Sequence, residues 1–390
     1  MKKIVVAVLG ANGWMGKVHS NAYAGLERQF GDLGAEVRIK WLIDQDEAAI
    51  EKLARRLGGC QTSTDWTDAV SDPEVDLIDI CLPDKIHYEV AKAALQAGKH
   101  VYCEKPMTDT GDQAREIAAI AREKGLITRV GHSFPVNPAH RLAKRLIDNG
   151  DIGDITFFKG AQHVDTHGSP LAPFIWRLDG DLAATGIVGD TGSHVFSFMD
   201  YLVGPIDELT AHCPILFPER PEVSGAVYGQ AVEIAADTPK RAVTNPDLGM
   251  LMCRFRNGAV GIVDFSRIAT GKRFVQRYEI YGTKGAITYD YDNITRLHVY
   301  QAPGNGRPAG FTAVDVGPDM PEYGAYLPLA NFGLGYNEIK AYEVREVIGS
   351  IVDNREIWPT FTDAQRIVGL VDACMESHAS RKWVQVNNGN

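Results

Sequence analysis

The chain has 390 residues, and at roughly 150 per domain it holds two or three domains and a sizeable core, which excludes a peptide or a stapled mini-protein. Hydrophobic residues make up 45%, charged residues 23%, with 39 Gly and 19 Pro, ordinary globular values that exclude wholesale disorder and collagen-like repetition. A formal charge of -10 speaks against nucleic acid or an anionic membrane as the main partner.

The opening Met1-Lys2-Lys3 has the look of a signal peptide, yet its apolar run ends at Gly10 and reads better as a first buried strand, Ile4 to Leu9. Amphipathic stretches and short apolar runs then alternate, the signature of parallel strands joined by crossover helices. Helical character covers Trp14 to Leu26, Glu47 to Leu57, Tyr88 to Ala97 and Asp112 to Lys124. Strands are expected at Val37 to Ile43, Leu77 to Leu82, His100 to Cys103 and Ile127 to Gly131. This is a doubly wound α/β Rossmann domain, assigned to residues 1–133.

After Pro135 and Pro138 one helix, Ala139 to Asp148, leads into longer strand candidates separated by turns. Met250 to Arg256 and Ala259 to Ile268 flank Asn257-Gly258, a hairpin signal because both residues tolerate positive φ. Gln276 to Tyr281 and Ala286 to Tyr291 flank Gly282 to Gly285 in the same way. Residues 134–390 are therefore expected to form an α+β domain around a large, mostly antiparallel sheet. Gln301 to Phe332 lacks periodicity and is expected to be a surface loop or arm. Helices over Glu338 to Ile351 and Thr362 to Ser380 close the chain.

The six cysteines lie far apart with no C-x-x-C pair, which fits reduced thiols. No window approaches the ~18 apolar residues of a membrane span, and the expectation is a soluble, cytoplasmic protein.

Gly10, Gly13 and Gly16, with Asn12, Trp14 and Met15 between them, stand between the first strand and a helix, where a glycine turn brings backbone N–H groups against a pyrophosphate. The spacing is G-x-x-G-x-x-G, one residue longer than the common form, or Ala11 takes the first glycine's place. Asp44 ends the second strand, where a carboxylate accepts hydrogen bonds from the adenosine ribose hydroxyls and repels a 2′-phosphate, so NAD is expected rather than NADP. An aspartate there could equally cap the next helix.

Leu82, Pro83 and His87 follow one strand and Glu104-Lys105-Pro106 the next, both at carboxyl ends of parallel strands where open α/β sheets bind ligands. A lysine there can hydrogen-bond a substrate oxygen or pass a proton, or be a solvated surface group. Further on, Asp190 and His194 are spaced by four, one helical face, so a carboxylate could orient an imidazole poised to take a hydroxyl proton. An N-cap aspartate and a core histidine are the plainer alternative.

Taken together, Gly10 to Gly16, Asp44, Pro83 to His87, Glu104-Lys105-Pro106, Asp190-x-x-x-His194 and Tyr278 to Gly285 resemble the Gfo/Idh/MocA oxidoreductase family over nearly the whole chain. Within that family the segment Trp176 to His194 and the arm around Tyr323-Gly324-Ala325 are similar to the inositol and the levoglucosan or L-glucose dehydrogenases. The resemblance implies oxidation of a sugar or cyclic polyol hydroxyl by hydride transfer to NAD, in a dimer or tetramer formed through the open face of the second sheet. It gives Lys105, Asp190 and His194 as the catalytic trio and Trp176-Arg177 as a pair near cofactor and substrate. It also implies two alternatives on the same fold: a glycoside hydrolase using transient oxidation, and a non-catalytic dinucleotide-binding regulator. Asp84 departs from the asparagine frequent in the family.

His132, Asn137, His163, Asp165 and His167 are expected to line the substrate pocket. The last three could share a strand face and suggest a metal, but hydride chemistry with a lysine and a histidine needs no Lewis acid, and no metal is expected.

Overall fold

The computed structural model describes residues 2–223, 225, 234–235, 237–302 and 309–387. Its backbone divides into two compact units, Met1–Val136 with Gly317–Gln365, and Asn137–Val316 with Arg366–Asn390.

The first unit begins with β1 (Lys2–Leu9), α1 (Trp14–Phe30), β2 (Ala35–Ile43), α2 (Glu47–Arg56), β3 (Gln61–Ser63) and α3 (Trp66–Ser71). It continues through β4 (Leu77–Ile80), α4 (His87–Gln96), β5 (His100–Cys103), α5 (Gly111–Lys124) and β6 (Thr128–Val130). Among the described residues these strands make one parallel sheet of order β3-β2-β1-β4-β5-β6. β1 pairs with both β2 and β4, so the winding reverses beside its carboxyl end, where open sheets leave a crevice. β1 and β4 are buried on both sides, which is why they read as continuous apolar runs. Two elements absent from the sequence reading, β3 and α3, are three and six residues long, too short to show a period. The third expected strand stops at Ile80 instead of Leu82 because Cys81 and Leu82 already form the turn.

The second unit contains α6 (Pro138–Asp148), β7 (Ile155–His163), α7 (Ser193–Leu202), β8 (Ile206–His212) and a ribbon of β9 (Glu219–Pro221) with β10 (Lys240–Ala242). Next come β11 (Leu248–Phe255), β12 (Val260–Ser266), β13 (Val275–Gly282), β14 (Gly285–Asp290), β15 (Arg296–Gln301) and β16 (Thr312–Asp315). With a short β17 (Val384–Gln385), the main sheet has the order β16-β15-β14-β13-β7-β12-β11-β8-β17. Only the β7–β12 pair in it is parallel among the described residues. Both expected hairpins form, and Gly258 adopts the positive φ of 91° its turn requires. One face is packed by α6 and α7, through ring contacts such as Phe196 on Phe265 at 5.6 Å. The opposite face leaves Met250, Met252, Val260 and Ile262 exposed. The expected loop Gln301 to Phe332 contains β16, which pairs with β15; residues 303–308 lie outside the described residues.

The chain then returns to the first unit with α8 (Tyr336–Asp353) and the start of α9 (Phe361–Ser380). This corrects the single boundary drawn at 133/134. Residues 317–365 belong with the first unit because Ala341, Val344, Val347, Ile348 and Ile351 share one apolar core with Ile4, Val6, Val8, Tyr23 and Leu26.

Candidate active site

The glycine turn is built by close approaches. Gly10 has φ 79°, and a Cβ there would overlap the Cys81 carbonyl oxygen; a Cβ on Gly16 would overlap the carbonyl of Gly10. Gly13 donates its N–H to the Gly10 carbonyl at 3.1 Å and closes the turn. Ala11 is buried with its N–H on the Ile43 carbonyl at 3.0 Å, so the additional residue lengthens the turn and Ala11 does not replace a glycine. Gly13 stands at the N-cap of α1 with no side chain to cap it, and the first turn, Trp14-Met15-Gly16-Lys17, carries no acid. Such a positive helix end with open N–H groups fits a pyrophosphate. Trp14 is 68% exposed and stacks on Tyr336, ring centroids 5.4 Å apart.

Asp44 accepts from the Asn12 N–H at 3.0 Å and the Asp46 N–H at 3.2 Å. The cap of α2 is Asp46, which accepts from the Ala49 N–H at 3.0 Å. Asp44 therefore ties the end of β2 to the glycine turn and is not the helix cap. A glycine cradle with a carboxylate at the next strand end fits a dinucleotide with free ribose hydroxyls.

His87 joins the two following turns. One ring nitrogen lies 2.8 Å from the Leu82 carbonyl and the other 2.7 Å from the Pro106 carbonyl, with the ring 1% exposed. It thus acts as a clamp between the Leu82-Pro83 turn and the cis Lys105–Pro106 bond. Lys105 is half-buried, and its N–H reaches Glu104 Oε2 at 3.3 Å. His132 is buried nearby, and burial followed by the Lys105 ammonium pushes its pKa down to about 3. It is a neutral ring at physiological pH.

In the second unit Asp190 lies in a π-helical turn, Val188–Gly192, that runs into α7, and His194 is the second residue of that helix. The plain α-helical face expected for the pair therefore starts only at Ser193. Both residues are half-exposed. The Trp176–Leu178 turn carries the Arg177 guanidinium 4.4 Å from the Trp176 ring centroid. That turn is held from behind: Asn245 donates to the carbonyls of Arg177 at 2.9 Å and Ala183 at 2.7 Å. Arg267, paired with Asp247 at 2.9 Å, also donates to Asn245 Oδ1 at 2.9 Å.

The His163, Asp165, His167 group does not share a strand face, because β7 ends at His163 and a turn closed by Gly168 N–H to the Asp165 carbonyl follows. His163 pairs with Asp264 at 2.8 Å. His167 is buried, and burial with the Arg267 and Arg220 cations pushes its pKa down to about 3. Asn137 is fully buried; it caps α6 by accepting from the Ala139 N–H at 2.8 Å and donates to the Ile294 carbonyl at 2.8 Å, a structural post where a pocket residue was expected.

The family profile described as "Oxidoreductase family, NAD-binding Rossmann fold" matches residues 4–132, and that of the GFO/IDH/MocA C-terminal domain matches residues 140–288. The chain belongs to the Gfo/Idh/MocA family. It is 33% identical to levoglucosan dehydrogenase of Pseudarthrobacter phenanthrenivorans, with 99% of each chain covered. It is 26% identical to inositol 2-dehydrogenase of Rhizobium meliloti over 97% of this chain and 98% of that one. A solved levoglucosan dehydrogenase in complex with NADH and L-sorbose superposes with a TM-score of 0.91 at 33% identity, covering 99% of this chain and 100% of that one.

One part of this Gfo/Idh/MocA chain escaped the sequence reading. Beneath Glu104 lies a buried charge cluster: His19 pairs with Asp79 at 2.9 Å, and its other nitrogen lies 3.3 Å from Glu104. Lys340 pairs with Glu104, and with Glu343 at 3.0 Å. Burial is the largest influence on His19 and opposes its charge, but Asp79 and Glu104 together outweigh it and the pKa rises to about 9. Burial likewise opposes charge on Glu104 and Lys340, yet their attraction holds Glu104 well below, and Lys340 well above, its ordinary range. A visible signal was Asp79, a carboxylate inside the otherwise apolar Leu77 to Leu82 run. Among the described residues His19, Asp79 and Cys81 are also the three side chains close enough together to hold a metal ion.

Proposed function

We propose that the chain is an NAD-dependent dehydrogenase that oxidises a hydroxyl of a sugar, anhydrosugar or cyclic polyol to a ketone. The full-length similarity to levoglucosan dehydrogenase carries this reading, since the similarity spans both units and both halves of the chemistry. The glycine turn and Asp44 are the residues that would hold NAD, together with Leu82 and Pro83. When bound, NAD supplies the hydride acceptor. His194 takes the proton of the substrate hydroxyl, Asp190 orients its ring and balances the charge gained, and Lys105 donates a hydrogen bond to the same oxygen, stabilising it as the proton leaves. Trp176 and Arg177 contact the substrate. Trp14, stacked on Tyr336 at the cradle, screens the pyrophosphate from solvent.

Lys105→Ala and His194→Ala are expected to lower kcat by about 100- to 10,000-fold while leaving the fold intact by circular dichroism. The assay follows reduced nicotinamide absorbance over a panel of anhydrosugars, pyranoses and inositols. Full activity in either variant removes that residue from the mechanism. Self-association through the sheet face bearing Met250, Met252, Val260 and Ile262 completes the proposal: an exposed apolar strip of this kind favours a partner copy.

A further inference from the structure

Glu104 precedes Lys105, and its whole carboxylate is committed. Oε1 lies 3.3 Å from His19 Nε2 and pairs with Lys340; Oε2 accepts from the Lys105 N–H at 3.3 Å. Gly131 closes the slot opposite, since a Cβ there would overlap Oε1. Lys340 is fully buried on α8, 236 residues further along the chain. It also donates to the Tyr102 hydroxyl at 3.2 Å and pairs with Glu343, which in turn lies 3.6 Å from Arg129.

Charges buried this deeply gain little stability over well-packed apolar residues, because desolvation offsets their attraction. What they do supply is direction. A carboxylate held by two cationic groups from α1 and α8 cannot rotate, and the amide hydrogen bonded to it cannot either.

We propose that Lys340 is a positioning residue: by fixing the Glu104 carboxylate it fixes the backbone of Lys105 and so the direction in which the Lys105 ammonium reaches the substrate oxygen. The inference rests on the role proposed for Lys105. It assigns a function in the chemical step to a helix of the C-terminal segment.

The test is the double variant Lys340→Met/Glu343→Gln, which removes one cation and one carboxylate together, with Lys105→Ala measured in parallel. NAD affinity by titration calorimetry should stay within about threefold, because the glycine turn and Asp44 are untouched. The kcat should fall about 10- to 100-fold, as expected for a reacting group displaced by an ångström or less. The solvent deuterium isotope effect on kcat should rise as the proton step becomes limiting. A kcat within twofold of the parent, whatever the melting temperature, overturns the proposal. If the double variant does not fold, Lys340→Gln, which keeps a hydrogen-bond donor without the charge, is held to the same criteria; failure of both to fold assigns Lys340 to stability alone and rejects the proposal. Should Lys105→Ala itself remain active, the functional reading fails, whatever the Lys340 variants show.

Discussion

At the scale of single residues, the turn between β1 and α1 shows how one side chain serves two purposes. Asp44 accepts two backbone N–H groups, one from Asn12 inside the glycine turn, so it shapes the cradle in addition to the ribose contact proposed for it. Asp44→Ala should therefore weaken NAD more than a lost ribose contact alone would, since the Asn12 N–H also loses its acceptor. Hydrogen bonds to charged groups are worth about 1.5–3 kcal/mol each, so kcat/KM with NAD should drop at least tenfold. Removing the negative charge should narrow the preference over NADP. Steady-state kinetics with both cofactors checks this, and an undiminished preference for NAD would refute the role. The residues of this turn were legible because glycines and a strand-end carboxylate are local signals. The Asp44-or-cap ambiguity was settled only by Asp46, two positions on, a choice that spacing cannot make. His19 and Asp79 stayed hidden because the partners are 60 residues apart and each alone is unremarkable.

At the scale of elements, periodicity and turn signals located most strands and helices of the first unit and the two hairpins of the second to within a few residues, but gave no bounds for β7, β8 or β15 and missed β3, α3 and β16, the last three too short to carry a period. Geometry that depends on non-periodic backbone was harder to read. The spacing of Asp190 and His194 implied a regular helix, but a π turn intervenes; the alternate His163, Asp165, His167 spacing implied a strand that in fact ends at its first member. The stretch carrying Trp176 and Arg177 has little regular structure of its own and borrows its shape from Asn245, whose amide spans the carbonyls of Arg177 and Ala183. Gly186 lets the Asn245 side chain approach because it has no Cβ; one there would press on that side chain. Asn245→Ala leaves two carbonyls and the Arg267 guanidinium short of a partner, a loss of about 1–3 kcal/mol. If Arg177 contacts the substrate, KM for the sugar should rise severalfold with NAD affinity unchanged. A melting temperature that falls with no change in KM would confine Asn245 to stability.

At the scale of the molecule, the buried histidines are of two opposite kinds, one held charged and three held neutral, and together they shape the pH range of the fold. His19, in the first unit, is charged in the folded state with a pKa raised to about 9. Its contribution is fully present below the unfolded value of ~6.5 and is lost as pH rises through about 9. A shift of that size corresponds to about 3 kcal/mol. His140 and His167 in the second unit, and His132 in the first, are buried neutral with pKa values lowered to about 3. Their contribution is present above ~6.5 and is lost as pH falls below it, because the unfolded chain then binds protons that the folded chain refuses. Alkaline loss of stability should therefore begin in the first unit, while acid loss draws on both. Scanning calorimetry from pH 5 to 9 should give a melting temperature highest near neutrality, and His19→Gln should flatten the alkaline side alone. If His19→Gln instead shifts the whole curve downward without changing its slope above pH 7, His19 is not charged in the fold, and the buried cluster beneath Glu104 has one cation fewer than its geometry implies.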